Sequence, residues 1–455
     1  MPAVSTRNHF FHLLPDWLIG AFCLAIPALY NSFPLVTPDS GAYIGNGYTL
    51  YIPIDRPLMY SVFVRVSSLG ISLWGVVLAQ VLIVSVLMQF IAEKALDASY
   101  SRNRFGGIML LMGVATSAGW FAGQLMPDIF TAILLLCILA LLYQPEKIWQ
   151  RWALYLTILS CILVHNSNLL IALISGLLLF LVNVRKKEFS LRQTSITLIL
   201  TAVIGWLSLS AMNAIAGRKF SPSSASHVFL MSRMVENGMM DEFLDDYCPT
   251  DSSSYKLCAY RGKLPNRQWD FMWGEHSALY ETGGWEANRD EYNRIIRKTI
   301  FTPKYLLMHI SKSAHATLRQ LPLIYVGDGL QQMGSGENLQ NEIHHHFKNE
   351  EKDYLSSGQM NQQLNFSLMN ELIVGFSLLI MAASLLIQKK DQATVLVPMK
   401  RLAYVVILFL LVNAFVTATF ATVIGRYEAR VFWILPFLAT LQLIRCLDQK
   451  RTSAA

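Results

Sequence analysis

Long, nearly uncharged apolar runs recur through this chain, near 16–36, 71–92, 106–125, 127–143, 152–166, 168–184, 195–216, 367–388, 402–424 and 430–446. A helix needs about 20 such residues to cross a bilayer. Lipid offers no partner to an exposed backbone group, so each run must close its hydrogen bonds on itself. The pattern therefore predicts an all-α polytopic membrane protein with about ten transmembrane helices. Composition agrees, because 53% of the 455 residues are hydrophobic and 15% are charged, where soluble domains carry about 25% charged residues. A water-soluble globule and an intrinsically disordered chain are both excluded.

The charges sort by connection. Arg7, the segments 93–104, 146–151, 185–192 and 389–401, and the tail from Arg445 hold 17 Lys and Arg. By the positive-inside rule these are cytoplasmic, which makes both termini internal. The connections 37–70, 124–127, 165–168, 217–366 and 425–430 then fall outside. Segment 217–366 is slightly acidic, with 16 basic and 18 acidic residues. The net charge of +7 is thus a topology signal rather than a nucleic-acid-binding one. The expected organisation is an N-terminal bundle of about seven spans over 1–216 with a first outer loop at 37–70, an extracytoplasmic domain over 217–366, and about three spans over 367–455. Pro27 interrupts the first apolar run and no small-x-small cleavage pattern closes it, so a retained signal-anchor is expected there.

The outer domain reads as mainly helical. Val228, Met231, Met234 and Val235 share a face over 225–244, and a longer helical pattern over 288–320 is broken at Pro303. A segment of this size with few alternating β-branched runs is expected to pack on the bundle rather than stand apart. Cys248 and Cys258 lie in it with nine residues between them, and an extracytoplasmic pair of this kind predicts a disulfide. Cys23, Cys137, Cys161 and Cys446 sit in or beside spans and read as small core residues. No metal site is expected: the tract His344-His345-His346 has solvated flanks, and consecutive ligands point different ways. Residues 57–68 suit an amphipathic helix on the outer surface, with Arg65 snorkelling.

Ionisable and polar groups gather on the outer side. They are Asp39 and Tyr43 in Thr-Pro-Asp-Ser-Gly-Ala-Tyr, Asp55-Arg56-Pro57, Asp128 after Pro127, His165 in the turn His-Asn-Ser-Asn, and Arg426, Tyr427 and Arg430 in Gly-Arg-Tyr-Glu-Ala-Arg. The two runs of 152–184 share 33 residues with that turn, so each reaches only about 24 Å and the turn should sit below the surface, facing protein or water. Each residue has a plainer reading. Asp39 serves as a cap, Asp128 as a first-turn charge, and the arginines as interfacial anchors pairing with Glu428. Their convergence from four of the outer connections favours a functional cavity.

An acidic residue just after the first span, surface-lying helices behind it, and an outer helical segment ending in Thr302-Pro303-Lys304-Tyr305-Leu306 before an amphipathic helix together resemble the GT-C glycosyltransferases. That superfamily includes protein mannosyltransferases and the aminoarabinose transferases of lipid A. The resemblance implies a GT-C-like bundle in a plasma membrane, of the bacterial inner-membrane kind, with its active site facing the periplasm or exterior. It implies transfer of a sugar, with inversion, from a polyprenyl-phosphate-linked donor to a lipid, glycan or protein acceptor. Asp39 matches the first-loop acidic base and Asp128 the second acidic position, with Asp55 in reserve. Ser40 stands where an adjacent acidic pair would continue. No cofactor is specified, and a divalent cation is the one candidate. Arg56, Arg426 and Arg430 are the phosphate-facing candidates, because guanidinium binds phosphate bidentately and stays charged near lipid; Tyr43, His165 and Tyr427 complete the donor-binding set. An O-antigen polymerase or ligase, and a transporter or flippase of lipid-linked sugar, are the alternative readings.

Overall fold

Apolar runs close on themselves as helices throughout the computed structural model, which describes residues 6–249, 255–330, 338–364, 369–387 and 399–454. Six helices are long and apolar enough to cross a membrane: Leu13–Asn31, Trp74–Ser99, Asn166–Lys186, Phe189–Ile215, Met399–Phe420 and Arg426–Gln449. Among the described residues no β-strand forms; the one pairing of extended chain is a parallel bridge between Leu35 and Gln124.

Of the other four expected spans, two form shorter helices, one is broken and one is a helix whose side chains are described only in part. Ile129–Leu142 and Ile148–Val164 are shorter apolar helices, and the run at 367–388 is helical over Met369–Ile387. Every residue of Ile129–Leu142 is buried, and an apolar circumference of that kind belongs to a helix enclosed by other helices. The run at 106–125 is broken into Arg102–Ala115 and Ser117–Ala122. Thr116 between them is extended and its hydroxyl accepts from the Ala118 amide at 3.2 Å, so it ends one helix and caps the next. The broken element lies against the first span with no room for a side chain: a Cβ on Gly113 would stand 2.0 Å from the Cys23 carbonyl oxygen, and one on Gly119 2.8 Å from the Pro27 ring.

Ion pairs collect the basic connections at one end of the bundle. Arg102 pairs with Asp16, to which Tyr100 also donates, and Arg104 reaches Asp448 at 2.5 Å. Arg401, at the start of Met399–Phe420, pairs with Glu188 at 2.5 Å. The opposite end carries two short helices, Pro38–Thr49 and Met59–Ser67, and the helices of 217–366. Arg65 does not reach outward on its own; its guanidinium lies 4.5 Å over the Tyr48 ring, whose plane stacks on His346 at 3.7 Å. Helix Asn338–His346 crosses Pro38–Thr49 so closely that a Cβ on Gly41 would meet the Leu339 backbone at 2.8 Å.

Segment 217–366, called the outer domain after its expected side, has a core of its own, which the sequence reading does not anticipate. Val228, Met231, Val235, Phe243, Phe271 and Ile295 pack together, apart from the main bundle core. The face expected over 225–244 is carried by two helices, Ser226–Glu236 and Met239–Tyr247, because Gly238 between them takes φ +75°. Pro303 divides Arg289–Phe301 from Pro303–Gln320, and the Gln320 side chain then exchanges two hydrogen bonds with the Ile424 backbone at 2.7 and 3.1 Å, tying the domain to the bundle.

Cys248 and Cys258 are disulfide-bonded, ten positions apart. Reduction should destabilise the outer domain by about 2–3 kcal/mol, since a short loop is freed in the unfolded chain. Peptide mass spectrometry without reductant checks the premise, and two free thiols would remove it.

Candidate functional site

Two charged centres form at the bundle end that carries the outer domain. The first is built on helix Pro38–Thr49, which Pro38 opens at the first helical position and Ser40 caps by accepting from the Thr37 amide at 2.9 Å. The Ser40 hydroxyl also donates to the Leu125 carbonyl at 3.0 Å and the Thr37 hydroxyl to the Met126 sulfur at 3.0 Å. These bonds hold the first outer loop against the segment that carries Asp128.

Asp39 lies in the first turn with 36% of its side chain exposed, and its Oδ1 is 2.9 Å from Arg56 Nη1. Arg56 Nε and Nη2 both donate to Asp55 Oδ2, at 2.9 and 2.7 Å. Burial alone would ease proton loss from Arg56, but Tyr43, Asp39 and Asp55 outweigh it and hold the guanidinium above its ordinary range. The same guanidinium lies 5.3 Å over the ring of Tyr43, whose phenol burial pushes well up. Tyr43 packs edge-on against Tyr60 at 4.8 Å, and Tyr60 donates to Gln80, which in turn holds the carbonyls of Ala122 and Gln124. The first centre therefore rests on a rigid brace. Its charge bridge is already made, since Arg56 stands between Asp39 and Asp55 where a divalent cation joining them would lie. Among the described residues no group of three or more His, Cys, Asp or Glu is placed to hold a metal, and His344 and His346 face Glu351 and Glu342.

The second centre is buried. Arg430 has no exposed side chain and Asp128 has 1%. Arg430 Nη1 lies 3.1 Å from Asp128 Oδ1 and 3.3 Å from His165 Nε2. Its Nη2 reaches Asn413 Oδ1 at 3.1 Å and the Ser167 hydroxyl at 3.4 Å. Asn413 is held in that orientation because its amide nitrogen donates to Glu428 Oε1 at 2.7 Å and to the Tyr427 carbonyl at 2.8 Å. Arg430, a candidate for facing a carrier phosphate, is enclosed by protein: Nη1 and Nη2 meet groups from three segments, those of Asp128, of His165 and Ser167, and of Asn413, while Nε has no hydrogen-bond partner. Glu428, which the plainer reading pairs with the arginines, hydrogen-bonds Asn413, which in turn accepts from Arg430.

Arg426 has a different setting. Its Nε stands 4.0 Å from Asp128 Oδ1, beyond hydrogen-bond length, and has no hydrogen-bond partner. The side chain is 17% exposed. Its backbone amide donates to Asp328 Oδ2 at 2.9 Å, and Tyr427 sits beside both guanidinium groups, 5.6 Å from Arg426 and 5.1 Å from Arg430. The preceding Gly425 presses on the Tyr325 ring, where an added Cβ would stand at 2.6 Å.

The fold thus joins Asp39, Tyr43, Asp55 and Arg56 in one centre and Asp128, His165, Arg426, Tyr427 and Arg430 in the other, while the disulfide lies apart in the outer-domain core. Asn413, Asp328 and Tyr325 belong to the site without having been singled out from the sequence. Asn413 left a signal, an amide in the apolar run Leu-Leu-Val-Asn-Ala-Phe-Val, where a polar side chain needs a partner. Asp328 stands between two glycines in a turn-rich stretch and left none. No protein-family model, no curated protein and no solved structure matches this chain.

Proposed function

We propose that the chain is a membrane-embedded glycosyltransferase that takes a sugar from a polyprenyl-phosphate-linked donor at the bundle end bearing the outer domain. The observation that carries this reading is the pairing of a reachable carboxylate with a partly exposed arginine side chain: Asp39, 36% exposed, and Arg426, 17% exposed, beside a fully enclosed Asp128–Arg430 pair. Glycosyl transfer asks for that division. One carboxylate takes the proton from the acceptor hydroxyl as the sugar carbon opens, and a cation stabilises the departing phosphate. Asp39 serves as the base, with Arg56 orienting it. Arg426 receives the carrier phosphate at the exposed part of its side chain. Arg430, Asp128, His165 and Asn413 position the helix that presents Arg426, and Tyr427 walls the phosphate site. The basic connections face the cytoplasm, so the site faces the exterior, and an apolar bundle gives the polyprenyl chain a lipid-side approach.

Donor binding tests the phosphate role. Arg426→Ala should weaken affinity for a polyprenyl-phosphate hexose by about 1.5–3 kcal/mol, the range for hydrogen bonds to charged groups. Arg426→Lys should restore only part of it, because lysine lacks the bidentate fork. Titration of the purified protein in nanodiscs measures both, and unchanged affinity in the alanine variant would remove phosphate binding from this residue.

A further inference from the structure

Helix Pro303–Gln320 divides its surface into three stripes. Tyr305, Ala316 and Gln320 are buried, and the helix packs on both Arg289–Phe301 and the long apolar helix Met399–Phe420. A second stripe, Leu307, Ile310, Ala314 and Leu318, recurs at the three- and four-residue interval of one helical face and is exposed. Its large side chains are open: Leu307 is 67%, Ile310 59% and Leu318 68% exposed. Lys312, His315 and Arg319 make the third stripe beside it, also exposed. The helix has no acidic residue.

The neighbouring helix indicates what the open stripe meets. Met399–Phe420 is long and apolar enough to cross a membrane, and Tyr404, Ile407, Leu411 and Phe415 form its exposed stripe in the same three-and-four rhythm. On a helix that crosses a bilayer, an uncovered apolar stripe faces acyl chains. Gln320, at the end of the shorter helix, bonds to the backbone of Ile424, four residues beyond Phe420. The two helices therefore meet at the end of the span that faces the outer domain, where a bilayer passes from hydrocarbon to headgroups. A helix with an open leucine stripe stands at that level.

Charge selects the lipid. Lys304 pairs with Asp246 at 2.5 Å, whereas among the described residues Lys312, His315 and Arg319 form no ion pair. Arg233 lies near enough to Arg319 to feel its charge, and the carboxylate there, Glu236, is already taken by Arg233. A helix with an open apolar stripe and unneutralised Lys and Arg beside it has the chemistry of an interfacial helix on an anionic leaflet, where acyl chains cover the first and headgroup phosphates the second. A soluble partner would have to bring both an apolar groove and acidic groups into the headgroup layer; lipid supplies the two together.

We propose that helix Pro303–Gln320 lies in the headgroup layer on the outer-domain side, with Leu307, Ile310 and Leu318 among acyl chains and Lys312 and Arg319 on the phosphates of anionic phospholipids. This lipid site holds or falls independently of the transferase reading. Two measurements on the full chain test it. In nanodiscs of phosphatidylcholine and phosphatidylglycerol, nitroxide labels at Leu307→Cys, Ile310→Cys and Leu318→Cys, each in a Cys446→Ser background, should be relaxed by oxygen more than by a water-soluble nickel chelate. Preference for the chelate at all three positions places the face in water, and exclusion of both relaxants places it under protein, a second copy included; either result overturns the proposal. In the second measurement, lipid titration read by native mass spectrometry should show a preference for phosphatidylglycerol over phosphatidylcholine. Lys312→Gln and Arg319→Gln should lower that preference by about fivefold for each charge removed, with thermal stability unchanged, and Lys312→Arg should keep it. The parent preference retained in the double glutamine variant overturns the headgroup contact and the proposal with it.

Discussion

Asp39→Asn should lower turnover by about 10²–10⁴-fold while leaving expression and donor affinity intact, because the amide keeps the shape of the carboxylate and loses its ability to take a proton. The side chain sits in the first turn of helix Pro38–Thr49, whose cap is made by Ser40 and Thr37 rather than by Asp39 itself. The helix should therefore survive the change. The assay is single-turnover transfer from a polyprenyl-phosphate sugar, with donor binding measured separately. Turnover at the parent rate would transfer the base role to Asp55 or Asp128. Of the two, Asp128 is the harder case, since it is 1% exposed and engaged by Arg430. Loss of turnover in His165→Ala together with full activity in Asp39→Asn would instead favour a polymerase or ligase chemistry that relies on histidine and arginine, the pair seen at 3.3 Å in the second centre.

Removing Arg430 should be the most destabilising single change in the bundle. Arg430→Met leaves the Asp128 charge buried with its principal partner gone, and breaking one side of a buried pair costs about 3–5 kcal/mol. Asp128 has a second oxygen, Oδ2, already without a hydrogen-bond partner, so it has no spare contact to fall back on. Pairing Arg430→Met with Asp128→Leu should recover part of the loss, because the Asp128 charge goes with its partner, while Arg426 loses the carboxylate that stands 4.0 Å from it. The measurement is the midpoint of thermal or denaturant unfolding in one detergent for the two single variants and the double variant. A single Arg430→Met variant as stable as the parent would mean that the pair carries no structural weight, and the positioning role assigned to Arg430 would fall with it.

Much of this architecture follows from local signals. A run of apolar residues becomes a helix because lipid and protein interior alike force the backbone to bond to itself. Pro303 ends a helix through its own missing donor and fixed ring, and it divides Arg289–Phe301 from Pro303–Gln320. The grouping of Asp39, Asp55, Arg56, Asp128, His165, Arg426 and Arg430 at one end could be read in advance, since each lies in a connection whose sidedness is tied to the basic residues of the next one. The spacing of Arg426 and Arg430 on one helical face is likewise local.

What the linear pattern lacks is the identity of neighbours. Asp128 and Arg430 are 302 positions apart, and no periodicity links them. Asp39 and Asp128 read alike as acidic residues beside a proline, yet one is 36% exposed and the other 1%, because only the packing of other helices determines which end is covered. The same holds for Ile129–Leu142, wholly enclosed, and for the split at Thr116, where Gly113 and Gly119 admit the first span. The outer-domain core was hidden for the related reason that an apolar residue in a short polar segment looks the same whether it is buried or exposed. In a bilayer, lipid tails are as apolar as leucine, so a face that meets lipid and a face that meets another helix carry the same sequence. The sequence by itself therefore determined which segments are helices and at which end the polar groups gather, while the tertiary structure alone decided which helix each face meets, and hence that Asp39 and Arg426 stay within reach while Asp128 and Arg430 are closed in.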